Sequence, residues 1–248
     1  MIVLAAAAHP DDIEFMMAGT LLRLGDAGCE VHLWTLANGC CGSNTLGREE
    51  TAATRWHEAR ASAAAAGATA HPPLFNDLEV FYDQPSLARV AAVIRRIQPD
   101  VILTQSPQDY MEDHQNATRL VVSAAFTRAM RNVPTNPPIP PYDKPVALYH
   151  ALPHGLRDAL RQPVEPHFCV DVAPVLARKR AMLACHASQR RWLDETQGMG
   201  AYLDEMERMS RAVGAASGRF THAEGWRRHS HLGFGPEDFD PVQQLLTT

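Results

Sequence analysis

The chain has 248 residues, 46% apolar and 21% charged, which is long and apolar enough to bury one large core. A formal charge of −5 gives none of the basic surface that nucleic-acid or anionic-membrane binding requires, so neither partner is expected. No stretch approaches the ~20 apolar residues of a membrane span, and the five cysteines (Cys29, Cys40, Cys41, Cys169, Cys185) lack CxxC or regular spacing, which argues against a disulfide framework or thiolate metal site and fits a cytoplasmic setting.

Ile2 to Ala7 reads as a buried strand, short and apolar, ended abruptly by the polar run AHPDDIE at Ala8 to Glu14. Met16, Met17, Leu21, Leu22 and Leu24 recur at helical spacing up to Gly25 and Gly28. Val31 to Leu36 is a second strand, followed by a loop containing Gly39, Cys40, Cys41 and Gly42. The Ala- and Glu-rich run Arg48 to Ala66 is a helix stopped at Gly67. Pro73 to Asn76 is ambiguous, Leu87 to Ile97 is an amphipathic helix, Val101 to Gln105 a strand, and Asp113 to Arg131 a helix. The segment VPTNPPIPPYDKP, 133–145, carries six prolines and is a stiff loop, either a spacer or a wall over the site. Beyond it, Val146 to Tyr149 and Phe168 to Val172 read as strands, and Ala173 to Cys185 and Gly200 to Val213 as helices.

Strands alternating with helices of ten or more residues imply an α/β fold: a Rossmann-like, mostly parallel sheet with helices on both faces. One domain over residues 1–248 is expected, with a core at 1–132, the proline-rich loop at 133–145, and C-terminal strands and helices at 146–248. In such sheets ligands bind beyond the carboxyl ends of the strands, where AHPDD and the loops after Leu36, Phe75 and Gln105 converge. The first strand-helix turn lacks GxGxxG, which speaks against a dinucleotide.

Histidine nitrogen and carboxylate oxygen suit a borderline divalent metal, and a catalytic site needs about three protein ligands with one position open. His9 and Asp12, three apart on a turn, supply two. The third is expected from another strand end, and His114 opens a helix just after the strand ending at Gln105. Asp11, beside the ligands but pointing differently, is free to take a proton from water. A helix N-cap with acidic first-turn residues is the competing reading of Asp11 and Asp12. Glu14 reads as a supporting carboxylate. Met199, Met206 and Met209 read as core or interface, and His229 and His231 have no tie to the first site.

In AHPDDIE and, more loosely, in DYMEDH at Asp109 to His114, the chain resembles the PIG-L/LmbE-like family of metal-dependent de-N-acetylases, over Ile2 to about Arg228. The resemblance implies zinc, or another divalent metal, on His9, Asp12 and His114, with Asp11 as general base. It implies a substrate-contacting arginine at Arg55, in the R-x-x-E-A pattern Arg55 to Ala59, and a sugar-hydroxyl contact at Asp77. Many relatives read HPDH where this chain has Met111 at the first histidine, and a thioether donates no proton. Tyr110 and His154 are the candidates for the missing acid, with Asp113 to orient it. The implied reaction is N-acetyl removal from an N-acetylglucosamine-type amino sugar or its conjugate. The alternatives are amide hydrolysis of a thiol or antibiotic conjugate, or a metal-bound sugar-binding module without turnover. A homo-oligomer, trimer or hexamer, is implied by resemblance alone, with the segment Gly218 to Gly235 as a candidate for reaching a neighbouring subunit.

Overall fold

The structure, a computed structural model, describes residues 1–197 and 202–246. Five parallel strands, β1 (Ile2–Ala7), β2 (Glu30–Thr35), β3 (Thr69–His71), β4 (Val101–Thr104) and β5 (Ala147–Ala151), lie in the order β3-β2-β1-β4-β5. Two further strands, β6 (Phe168–Asp171) and β7 (Ala223–Arg228), continue the sheet as β5-β7-β6 through antiparallel pairings. The expected α/β architecture is therefore present as a mostly parallel seven-stranded sheet.

Period-two alternation along β1 divides the interior into two layers. Val3, Ala5 and Ala7 pack with Leu21 and Leu24 of α2 (Ala18–Asp26), Met182 of α6 (Leu176–Ala184) and Val242 of α9 (Pro241–Leu246). Leu4 and Ala6 face the other way, onto Val90 and Ile94 of α4 (Gln84–Ile97) and Leu120 and Val121 of α5 (Glu112–Phe126). The register pairs Ala7 with Thr35 and Ala6 with Thr104, so β1, β2 and β4 end nearly level and their following loops share one edge.

Several elements depart from the sequence reading. The first helical stretch is broken at Met17 (φ −133°, ψ −19°) into α1 (Asp12–Met16) and α2. The helix expected to reach Arg131 stops at Phe126, because Arg128 turns inward to donate to the carbonyls of Lys144, Ala125, Gly233 and Phe234. Ala173 to Val175 is a 3₁₀ turn before α6, where Pro174 supplies no backbone donor. The proline-rich stretch at 133–145 lies against α4, where Arg95 donates to the carbonyl of Ile139. Among the described residues it walls none of the cavity presented below.

The segment Gly218 to Gly235 supplies β7 to this chain's own sheet. Glu224 on β7 accepts the backbone N–H groups of Gly19 and Thr20 at 2.8 and 2.7 Å, placing a carboxylate at the positive end of α2. Buried Lys179 of α6 donates to the same carboxylate at 2.6 Å. Gly19 is required there: a Cβ would stand 2.4 Å from Val172 Cγ1.

Candidate metal centre and active site

The chain leaves β1 through His9 and Pro10 into Asp11, whose backbone is left-handed (φ 102°, ψ −25°). Such a conformation costs a non-glycine residue on the order of 1–3 kcal/mol and persists only where the surroundings enforce it. Asp11 occupies the N-cap position of α1, but its side chain makes no cap bond. Asp12 instead folds back, and its Oδ2 accepts the N–H of His9 at 2.7 Å.

His114, in the first turn of α5, completes a cluster: one donor atom each from His9, Asp12 and His114 lies within 4.8 Å of the others. His9 Nδ1 is 3.6 Å from Asp12 Oδ2, and His114 Nε2 is 3.4 Å from Asp12 Oδ1. The opposite ring nitrogens are both anchored on carboxylates, His9 Nε2 on Asp113 Oδ2 at 2.9 Å and His114 Nδ1 on Asp109 Oδ1 at 3.0 Å. An outer N–H held by a carboxylate fixes the tautomer and leaves the inner nitrogen as a lone-pair donor, the arrangement that metal-binding histidines adopt. Two imidazoles and one carboxylate, so oriented, fit a divalent cation of the zinc type.

The electrostatics of the cluster agree. Burial opposes charge on His9, yet Asp113 and Asp12 outweigh it and push its pKa up to about 10. Burial would raise Asp12, but His114 and His9 hold it well below the ordinary carboxylate range. The protein has gathered an excess of negative charge around two imidazoles, which a cation offsets.

Asp11 faces the same cavity, of about 300 Å³. Its Oδ2 accepts the Tyr202 hydroxyl at 2.5 Å, and its Oδ1 stands 3.4 Å from Arg55 Nη2. Burial raises the Asp11 pKa, with Arg55 opposing. Arg55 is itself buried and also donates to the carbonyls of Pro10 and Gly39. Glu14 points away from the cluster, into a pocket formed by Ser62 at 2.5 Å and His186 at 3.2 Å.

Of the other residues expected at the site, Asp77, Tyr110 and His154 line the cavity, and Asp113 stands behind it. Asp77 spends both oxygens on backbone N–H groups, Gly39 at 2.7 Å and Cys41 at 2.8 Å. Asp113 bonds His9 at 2.9 Å and accepts the N–H of Leu78 at 2.7 Å. His154 packs on Phe15 with ring centroids 5.1 Å apart, and burial lowers its pKa. Tyr110 stands half-exposed with its edge toward His114, its pKa raised by burial. Met111 contributes a thioether to the wall.

Asp109, Tyr202 and Gln189 were not anticipated. Asp109 had a local signal, being five residues before His114 in the same loop. Tyr202 begins α8 (Tyr202–Ser217) and Gln189 lies on α7 (Ala187–Gln197), both far along the chain. His229 pairs with His150 at 3.0 Å and takes no part in the cluster, and Met206 and Met209 are core, while Met199 lies outside the described residues.

Fold and cluster define an α/β protein with a candidate divalent-cation centre at the carboxyl edge of its sheet. Residues 4–125 match the model of the PIG-L family, described as GlcNAc-PI de-N-acetylase. The chain is 27% identical over 194 residues to diacetylchitobiose deacetylase of Thermococcus kodakarensis, covering 75% of this chain and 69% of that protein. Its structure is similar to N,N'-diacetylchitobiose deacetylase of Pyrococcus horikoshii, with TM-score 0.78 at 22% identity over 97% of this chain and 88% of the other. It is also similar to a 4-carboxy-2-hydroxymuconate hydratase of Pseudomonas putida, with TM-score 0.71 at 23% identity over 92% of this chain and 96% of the other. The shared fold thus hosts more than one chemistry, and the reaction has to be argued from the site.

Proposed function

We propose that the chain is a zinc-dependent N-deacetylase, hydrolysing the acetamide of an N-acetylglucosamine-type amino sugar or its conjugate. The observation that carries this reading is the convergence of His9, Asp12 and His114 on one point of a cavity that Asp11 also faces. Zinc held by those three side chains supplies Lewis-acid polarisation of a carbonyl and an acidified water, whose pKa falls to roughly 7.

The chain's own groups manage the protons. Asp11 takes a proton from the attacking water as its oxygen adds to the acetamide carbon. Burial raises the proton affinity of this carboxylate, and the hydroxyl of Tyr202 and the guanidinium of Arg55 hold its two oxygens in place. When the C–N bond breaks, the amine nitrogen requires a proton, and the same Asp11 returns it. Met111 has none to give. His154, whose pKa burial lowers, and Tyr110 are assigned to hydrogen-bond the acetamide rather than to supply that proton. Asp109 and Asp113 orient the histidines, and Asp77 shapes the loop at Gly39 to Cys41. Water is consumed, and acetate and a free amine leave.

The test is acetate release from N-acetylglucosamine and N,N'-diacetylchitobiose by protein carrying one equivalent of zinc. Acetate above the metal-free control supports the reading. Met111 favours one second reading, a sugar-binding module without turnover, and tight sugar binding by the zinc-loaded protein with no acetate decides for it.

A further inference from the structure

Three residues on one face of α7 line the cavity: Gln189, Trp192 and Leu193, at i, i+3 and i+4. Gln189 is 8% exposed, and its Oε1 is buried with no hydrogen-bond partner among the described residues. A buried carbonyl oxygen left unpaired is costly, and a side chain that lines a cavity can turn such an oxygen to a donor on whatever fills it. A ring hydroxyl is such a donor. Trp192 and Leu193, both partly exposed, extend the wall outward, and Phe15, Met16 and Leu152 add apolar surface to it.

Charge narrows the choice. Arg55 is the sole Lys or Arg among the described residues lining the cavity, and it is already engaged by Asp11 and two carbonyls. Arg48, which touches Cys40 beside the cavity, is paired with Glu79 at 2.8 Å. Residues 198–201 contain no Lys or Arg. Against this stand the carboxylates of Asp11, Asp12, Asp77 and Asp109. Apart from the cation at the cluster, no uncommitted Lys or Arg among the described lining residues is left to receive a phosphate-linked group.

We infer that α7 is the specificity helix of this site. Its ligand is a neutral amino-sugar glycoside that donates a hydroxyl to Gln189 Oε1 and lays an uncharged apolar or aromatic aglycone on Trp192 and Leu193. The inference rests on the deacetylase reading in one respect: with a small acetyl group at the buried cluster, the larger aglycone is the part that trails to the half-exposed rim. Stacking of a ring or chain on Trp192 supplies affinity that an anionic aglycone does not recover.

The experiment compares zinc-loaded wild type, Trp192→Ala, Trp192→Phe, Leu193→Ser and Gln189→Leu on three substrates: N-acetylglucosamine, its phenyl β-glycoside and its 1-phosphate. The wild type is expected to show kcat/KM at least 10-fold higher for the phenyl glycoside than for the free sugar, and at least 10-fold lower for the phosphate. Trp192→Ala and Leu193→Ser should cut the phenyl preference to within about 3-fold of unity, Trp192→Phe should retain most of it, and Gln189→Leu should raise KM for the neutral sugars more than it lowers kcat. Calorimetric binding of the product amines, phenyl glucosaminide against glucosamine, gives the same ranking without turnover. That ranking in the absence of acetate release removes the deacetylase reading and keeps α7. Acetate release with equal kcat/KM for phenyl and phosphate substrates, or a phenyl preference untouched in Trp192→Ala, overturns the inference.

Discussion

The hydroxyl of Tyr202 donates to Asp11 Oδ2 at 2.5 Å across 191 residues of sequence, joining the first turn of α8 to the loop after β1. Arg55 faces the other oxygen of the same carboxylate at 3.4 Å. The candidate base is therefore held from both sides by groups from distant parts of the chain.

Removing that donor weakens the charged form of Asp11. Tyr202→Phe deletes one hydrogen bond to a carboxylate, worth roughly 1.5–3 kcal/mol, so kcat should fall about 10- to 100-fold with metal content unchanged. Losing a hydrogen bond to the ionised form raises the pKa of Asp11, so the acidic limb of kcat/KM should move to higher pH. A pH–rate profile of the zinc-loaded variant checks both effects, and an unshifted limb removes Tyr202 from the mechanism.

Asp11 and Asp12 are adjacent but have separate tasks. Asp12→Ala should lose the metal, because Asp12 is the carboxylate that both histidines of the cluster face. Asp11→Asn should keep the metal and lose about 10²–10⁴ in kcat, the usual worth of a general acid-base group. Metal analysis beside acetate release separates the two, and the opposite pattern reverses the assignment.

Asp109 and Asp113 hold the outer nitrogens of His114 and His9. Each Asn variant should weaken metal affinity about 10- to 100-fold, the typical cost of losing such support. Competition with a chelator reads the change directly. Wild-type affinity in both variants would mean that the carboxylates do not orient the ligands.

Stability should respond most to the buried pair that ties β7 to α2 and α6. Glu224→Gln strands Lys179, which is 1% exposed, and weakens the anion at the start of α2. Breaking a buried pair costs about 3–5 kcal/mol, which for a chain of this size lowers Tm by roughly 10 °C. Combining Glu224→Gln with Lys179→Met should recover part of the loss in thermal melts. No recovery would mean that the N-terminal cap on α2, not the ion pair, carries the effect.

The sequence made the sheet legible wherever pattern and burial coincide. Ile2 to Ala7 and Val101 to Thr104 are apolar on both faces because helices cover both sides, and AHPDD announces itself by placing ligand atoms where β1 ends. The short β3 escaped, since Thr69 to His71 is only partly buried and carries no apolar run. So did β7, where Glu224, Arg227 and Arg228 hide a strand whose polar groups are satisfied by Lys179, Gln108 and the carbonyls of Glu237 and Phe239. At the site, His9, Asp11, Asp12 and His114 carry local signatures. Tyr202 and Gln189 do not, because their roles arise when α7 and α8 fold back over the sheet edge, which no local spacing records. Asp77, read as a sugar contact, does line the cavity, but each of its oxygens also accepts a backbone N–H, a second task that no spacing in the sequence announces.

The central claim is that three side chains from two distant stretches of the chain hold one cation at the cavity. Anomalous diffraction from a crystal of the zinc-loaded protein tests it most directly. The account requires a single strong peak within ligand distance of His9 Nδ1, Asp12 and His114 Nε2, with Asp11 beside it and unbound. A peak elsewhere, or none at that point in fully zinc-loaded protein, contradicts it.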